Sequence, residues 1–214
     1  IFAFHGGTGS STAAKGFVTR WSSQLDKKAI VVFPNGQDSD PNGPAWSSRD
    51  YSDRSDVDFT LQILEAMKAE YNIDPARVYA SGFSNGGLMT TMVACHEPGP
   101  FAGFAIYSQT IHKHIAKECD ANLVKPTLYL MGTADKLWEE RDFSHSATDT
   151  LNWWRDRLGC SKVPEKTDIP DGPDDTTVQR WTWAPCQRAA GFEFLRIENG
   201  EHIWPGPGLP ERSN

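Results

Sequence analysis

The chain has 214 residues, 38% hydrophobic and 23% charged, with a net charge of −7. That length suits a single domain, and eight Trp and five Tyr supply bulk for a packed core that a disordered chain lacks. The acidic balance argues against a nucleic-acid partner, no apolar run approaches the roughly 18 residues of a membrane-spanning helix, and neither a GxxxxGK(S/T) nor a CxxC run supports a P-loop or a thioredoxin-type site.

The chain opens inside an apolar run, Ile1-Phe2-Ala3-Phe4, and closes on Glu211-Arg212-Ser213-Asn214. It reads as a processed product or part of a longer one. Ile1–Phe4 is expected to be a strand end and Ala13–Leu25 a helix. Ala29–Phe33 is a short continuous apolar run, the pattern of a parallel strand covered on both sides. Asn35–Arg54 is a Gly/Pro/Asp/Ser loop long enough to have a function of its own. Asp56–Tyr71 carries Val57, Leu61 and Leu64 at helical spacing. Strand Val78–Ser81, helix Leu88–Cys95, strands Phe101–Tyr107 and Thr127–Met131, and helix Ala147–Leu158 follow. Asp168–Asp175 is a hairpin-like excursion, and Phe192–Ile197 is the last strand. Strands and helices in alternation, with no repeat or linker, imply one α/β domain over residues 1–214 built on a mostly parallel sheet. A monomer is expected.

Four cysteines, Cys95, Cys119, Cys160 and Cys186, form an even set in an acidic, Trp-rich domain, which points to two disulfides and an oxidising compartment. Three connectivities are possible. The sequential pairing, Cys95–Cys119 and Cys160–Cys186, is the one expected; each bridge would close a loop of about 25 residues and contribute about 3–4 kcal/mol. Free thiols in a cytosolic protein are the bland alternative. A zinc site from His112, His114, Cys95 and Cys119 is only a weak pattern.

Gly82-Phe83-Ser84-Asn85-Gly86 matches G-x-S-x-G between an expected strand and an expected helix, the setting of a nucleophile elbow. A helix opening directly after Ser84 would aim N–H groups and the positive dipole end at a developing oxyanion. The Asn85 amide is the first expected oxyanion donor. His5-Gly6-Gly7-Thr8-Gly9 follows the first strand, and an HGG turn there supplies a second amide, from Gly7 or Thr8; His5 itself reads as a brace. A serine hydroxyl needs a base, and the base needs an orienting carboxylate. Of the histidines after Ser84, only His202 sits in a turn-rich loop behind a late strand; His96 stands too close to the nucleophile, and His112 and His114 fall in a polar segment. Asp135 stands at the end of strand Thr127–Met131, ahead of its rivals Asp142 and Asp149. Ser84, Asp135 and His202 occur in the chain order of an α/β-hydrolase triad. No metal or organic cofactor is required for such chemistry.

Trp46, Trp138 and Trp204 belong to loops expected on the catalytic edge, where an aromatic would stack on a phenolic acid, a sugar or a polyester chain. Trp21, Trp153, Trp154, Trp181 and Trp183 read as packing residues. Asp38, Asp40, Asp50 and Asp53 crowd the long loop and read as a solvated acidic face rather than a calcium site.

HGGTG at 5–9, DVDFTLQILEAMKAEYNIDPARVYASGFSNGG at 56–87, GTAD at 132–135 and NGEHIWPG at 199–206 together resemble the secreted esterase family that includes poly(3-hydroxybutyrate) depolymerases and feruloyl or acetylxylan esterases. The resemblance implies an α/β-hydrolase fold with helices on both faces of the sheet, a triad of Ser84, Asp135 and His202, and extracellular action on an ester, feruloyl or acetyl groups of plant polysaccharide first and polyesters second. It also implies that strands before Ile1 and a helix after Gly206 are missing from the fold. Glu201 stands where many relatives carry Gly, adding a carboxylate beside the base. A non-catalytic polymer-binding relative is the alternative from another class; a serine peptidase or thioesterase is the rival among enzymes.

Overall fold

A computed structural model describes residues 1–18, 29–40, 43–47, 50–119, 124–170 and 175–204. Its elements are β1 (Phe2–Phe4), α1 (Ser11–Val18), β2 (Asp38–Asp40), β3 (Gly43–Ala45), α2 (Ser55–Glu70), β4 (Tyr79–Phe83), α3 (Asn85–His96), β5 (Gly103–Tyr107), α4 (Lys113–Glu118), β6 (Thr127–Gly132), α5 (Ala147–Arg157), β7 (Glu165–Ile169), β8 (Thr177–Trp183) and β9 (Phe192–Glu198). Seven strands form one sheet in the order β1-β4-β5-β6-β9-β8-β7. β1, β4, β5, β6 and β9 run parallel, and β8 and β7 extend the sheet antiparallel. The carboxyl ends of the parallel strands therefore share one edge, where loops from different strands converge.

Strand periodicity sorts the core. Phe2, Phe4, Ala80, Ile106, Tyr129 and Phe194 pack with Leu64 of α2, Met89 and Met92 of α3, Ile115 of α4 and Trp154 of α5. The intervening Ala3, Phe83 and Tyr107 point to the other face and meet Val31, Phe33 and Trp204. Gly86 through Cys95 of α3 are all buried. Its sequence is accordingly small or apolar on every side, and the hydroxyls of Thr90 and Thr91 donate to the carbonyls of Gly86 and Gly87 rather than to solvent.

Ala29–Phe33 departs from the expected two-sided strand. It meets β1 through one parallel bridge, Phe2 with Val32. Val31, Val32 and Phe33 are half-buried, and Ile30 is 39% exposed. A run at the sheet's margin is covered from one side, so an apolar sequence does not imply full burial. The helix expected over Ala13–Leu25 is described as far as Val18; the rest, with Trp21, lies outside the described residues. The Asp168–Asp175 excursion is the tip of the β7–β8 hairpin, with 171–174 outside the described residues. β7 itself was not expected: Glu165 through Asp168 are exposed, so no apolar alternation marks them.

Cys95 is bonded to Cys119, tying the last turn of α3 to the end of α4, and Cys160 is bonded to Cys186, tying the segment after α5 to the one after β8. A bonded sulfur offers no thiolate, so the zinc reading of Cys95 and Cys119 is withdrawn. The two bridges span 24 and 26 residues, and loops of that length contribute about 3 kcal/mol each on the chain-entropy model. At ~2–4 °C per kcal/mol for a domain of this size, a paired Cys160→Ser, Cys186→Ser variant should melt about 6–12 °C lower by scanning fluorimetry without reductant. Reductant should then lower its melting further, through the remaining bridge.

His112 precedes α4, its ring 5.2 Å from Phe143 and 5.6 Å from His114. Burial, with a smaller contribution from His114, pushes its pKa down to about 4. A histidine in the unfolded chain titrates near its ordinary value of about 6.5. Acid therefore favours unfolding at this residue: the contribution is whole above about pH 6.5 and is lost as pH falls toward 4, on the order of 3 kcal/mol. Urea melts at about pH 7.5 and about pH 4.5 should show wild type losing more stability between them than a His112→Asn variant.

Candidate active site

β4 hands directly to α3 at Ser84. The turn is possible only because main chains touch there. A Cβ on Gly82 would lie 2.1 Å from the Gly86 carbonyl oxygen, and one on Gly86 would lie 2.2 Å from that of Phe4 and 2.5 Å from that of His5. Ser84 takes the left-handed region, φ 54° and ψ −121°, a conformation that costs a non-glycine residue about 1–3 kcal/mol. Its N–H donates to the Tyr107 carbonyl at 2.9 Å, and its carbonyl accepts from the Leu88 N–H at 3.0 Å.

Two loops bring Asp135 and His202 to the same edge. β6 ends at Gly132 and β9 at Glu198, and their continuations are laced together. Thr133 N–H donates to Ile197 at 2.9 Å, Ala134 N–H to Gly200 at 2.9 Å, and Asn199 N–H to the Thr133 hydroxyl at 2.9 Å. Asn199 turns with φ 56°, and a Cβ on Gly132 would lie 1.9 Å from the Gly200 carbonyl oxygen. Both carboxylate oxygens of Asp135 lie 2.9 Å from His202 Nδ1, and His202 Nε2 lies 2.9 Å from Ser84 Oγ. Asp135 Oδ1 also accepts the Leu137 N–H at 2.8 Å. The carboxylate as acceptor selects the Nδ1–H tautomer, which leaves the Nε2 lone pair facing the serine hydroxyl. The Phe83 ring, 5.0 Å from the imidazole, lies against it. Beneath Asp135, the Tyr129 hydroxyl donates to the Gln109 carbonyl; burial, aided by the Asp135 charge, pushes its pKa far up.

Two of the rival residues are engaged elsewhere. Asp149 accepts from the Ser146 hydroxyl at the start of α5, and the His96 ring stacks on Tyr51 with centroids 4.1 Å apart.

The loop after β1 lies beside the elbow: a Cβ on Gly7 would sit 3.7 Å from Asn85 Cβ. Thr8 does not suit the oxyanion role expected of it. Its N–H is donated to the Pro44 carbonyl at 3.0 Å, whereas the Gly7 N–H has no acceptor among the described residues. His5 is a brace. Its Nε2 accepts the Gly36 N–H at 3.0 Å, so Nδ1 carries the proton and donates to the Gly6 carbonyl at 2.7 Å. Burial lowers its pKa and keeps it neutral.

Two of the three expected substrate-contacting tryptophans are corrected. Trp46 is 1% exposed, and its indole N–H donates to the His5 carbonyl at 2.9 Å. Trp204 is 6% exposed and stacks on Tyr107 with centroids 4.8 Å apart. Both bury because a large apolar ring gains more in a crevice than in water, and Trp46 finds an acceptor for its one polar atom there. Trp138 remains half-buried, with the Arg196 guanidinium 5.9 Å from its ring centroid. Ile203, 45% exposed beside His202, is the apolar surface that the sequence reading missed; a single aliphatic residue in a loop carries no signal of its own.

The carboxylates of the long loop serve local structure. Asp53 accepts from the Ser47 hydroxyl and the Ser55 N–H, Asp56 from the Ser47 N–H, and Asp50 from Ser52. The side chains of Asp38 and Asp40 lie outside the described residues. Among those described, no three His, Cys, Asp or Glu side chains come together as metal ligands would.

Comparison with known proteins finds esterases among the relatives and the same fold among solved esterases. The bifunctional acetylxylan esterase/xylanase XynS20E of Neocallimastix patriciarum is 28% identical over 186 residues, 86% of this chain and 26% of that protein. Feruloyl esterase B of Neurospora crassa is 40% identical over 131 residues, 59% of this chain and 44% of that protein. Poly(3-hydroxyalkanoate) depolymerase C of Paucimonas lemoignei is 34% identical over 110 residues, 49% of this chain and 26% of that protein. The chain thus spans less than half the length of each of these three relatives. Among solved structures, the acetyl xylan esterase of Aspergillus awamori superposes with a TM-score of 0.70 at 15% identity, over 94% of this chain and 82% of that one, and shares the fold. Residues 17–153 match the prolyl oligopeptidase family, and the chain belongs to that family.

Proposed function

We propose that the chain is a serine hydrolase of carboxylic esters that works through an acyl-enzyme. The observation that carries this reading is the unbroken relay of 2.9 Å contacts from Ser84 Oγ through the His202 ring to the buried Asp135. Ser84 Oγ attacks the ester carbonyl carbon while its proton passes to His202 Nε2. Asp135 stabilises the imidazolium and holds its orientation. Charge develops on the carbonyl oxygen, where the Asn85 and Gly7 amides donate; each such donor is worth about 3–4 kcal/mol in the transition state. Collapse expels the alcohol, which takes the proton from His202. Water, activated by the same imidazole, then cleaves the acyl–Ser84 bond.

The substrate class favoured is an acetyl or feruloyl ester of plant polysaccharide, supported by the acetylxylan and feruloyl esterases among the relatives. Half-buried Trp138 and exposed Ile203 offer apolar surface for the acyl or sugar part. A polyester is the second reading, supported by the depolymerase relative. The two disulfides fit an oxidising, extracellular compartment.

Ser84→Ala should lower turnover of p-nitrophenyl acetate by about 10⁴-fold or more, with the circular dichroism spectrum retained and fluorophosphonate labelling abolished. Turnover surviving in that variant would remove the nucleophile assignment. A panel of acetylated xylan, methyl ferulate, poly(3-hydroxybutyrate) and a prolyl peptide anilide ranks the substrates. Preference for the anilide would overturn the ester reading.

A further inference from the structure

The proposed oxyanion hole has two halves on separate pieces of chain, which meet through main-chain contact of Gly86 with the Phe4 and His5 carbonyls. The Gly7 amide belongs to a glycine loop that has no side chain at positions 6 and 7 to pin it. The Asn85 amide belongs to the elbow. For both to work, their separation must hold to a fraction of an ångström, because donors act at about 2.7–3.1 Å from the developing charge.

A third piece of chain bridges them. Asn85 Oδ1 accepts the main-chain N–H of Trp46 at 2.7 Å. The indole N–H of the same Trp46 donates to the His5 carbonyl at 2.9 Å in a buried contact. Its ring stands edge-on to Phe4, centroids 5.0 Å apart, and lies against His5 at 4.9 Å. Two more bonds fasten the same segment to the glycine loop: Thr8 N–H to the Pro44 carbonyl at 3.0 Å, and Gly36 N–H to His5 Nε2 at 3.0 Å. On its far side, Ser47 N–H donates to Asp56 Oδ2 at 2.6 Å, anchoring the segment on α2.

We propose that Trp46 and the Asn85 side chain are positioning residues that set the spacing of the Gly7 and Asn85 amides. Trp46 is 1% exposed and does not meet solvent, so its effect on turnover is exerted through the donors and not through substrate contact. The inference rests on the ester-hydrolase reading above.

The test uses Trp46→Phe, which keeps a ring and drops the indole N–H, Asn85→Ala, which drops the acceptor, and the double variant. Each is assayed with p-nitrophenyl acetate for kcat and KM, and with phenylboronic acid, which forms a tetrahedral adduct on the serine. Each single variant should lose about 10- to 100-fold in kcat, with KM within about twofold, and boronate affinity should fall in parallel. The double variant should lose little more than the worse single variant, because either break frees the same spacing. Wild-type kcat in both single variants would overturn the proposal, as would KM rising with kcat unchanged, the signature of a lost substrate contact. Should Asn85→Ala fail to fold, Trp46→Phe alone decides by the same split between kcat and KM. A wild-type protein that turns over no ester would instead remove the hydrolase reading, and this inference with it.

Discussion

The candidate site depends on one close approach between main chains. α3 begins so near β1 that no side-chain atom fits between Gly86 and the carbonyls of Phe4 and His5. Ser84 and the glycine loop are neighbours because of this contact, and Ser84 takes its left-handed conformation in the same turn. That strain is small against the burial of α3, whose apolar residues are almost wholly removed from water. A carbon atom added at Gly86 or Gly82 would collide with main-chain carbonyls on either side of Ser84 and force the elbow to shift. Glycine here serves close approach rather than flexibility, since neither residue has a positive φ.

The loops bearing Asp135 and His202 are joined by a second approach of the same kind. Gly132 and Gly200 lie back to back, and the loops that follow β6 and β9 share their main-chain hydrogen bonds. His202 therefore does not depend on its own loop alone for its place. Asp135 is fixed from three sides, by its turn onto Gly132, by the Leu137 N–H and by the imidazole. Preorganisation of this sort is what electrostatic catalysis requires, because dipoles already oriented need no rearrangement as charge develops.

What could be read in advance follows from how local each signal is. Ser84, Asp135 and His202 were legible because each stands in a short motif at the end of a recognisable strand, and chain order restricts which residues can meet. Helices α2, α3 and α5 announced themselves by composition and spacing. β7 and α4 did not: β7 is charged and exposed along nearly its whole length, and α4 buries one residue, Ile115. Ala29–Phe33 shows the opposite failure, an apolar run whose place at the sheet's margin no local pattern records. The choice between Gly7 and Thr8 was likewise closed to sequence, since it turns on where the Thr8 N–H points, and that is decided by Pro44, some 36 residues away.

The burial of Trp46 and Trp204 has a cause that bears on the whole candidate edge. A tryptophan among Gly, Pro, Asp and Ser reads as a loop-tip aromatic, because connecting segments run over the surface. The segment that carries Trp46 instead turns the indole into the main core, between β1 and the elbow. Lengthening a loop costs little free energy, only about 0.6 kcal/mol per doubling, so a long excursion can persist without contributing to stability. Its two limbs nevertheless press against each other where a Cβ on Gly36 would meet the Ala45 carbonyl oxygen at 2.4 Å. A segment folded that tightly, and bonded at both ends to the pieces that bear the proposed donors, is shaped by what it holds in place rather than by the distance it must span.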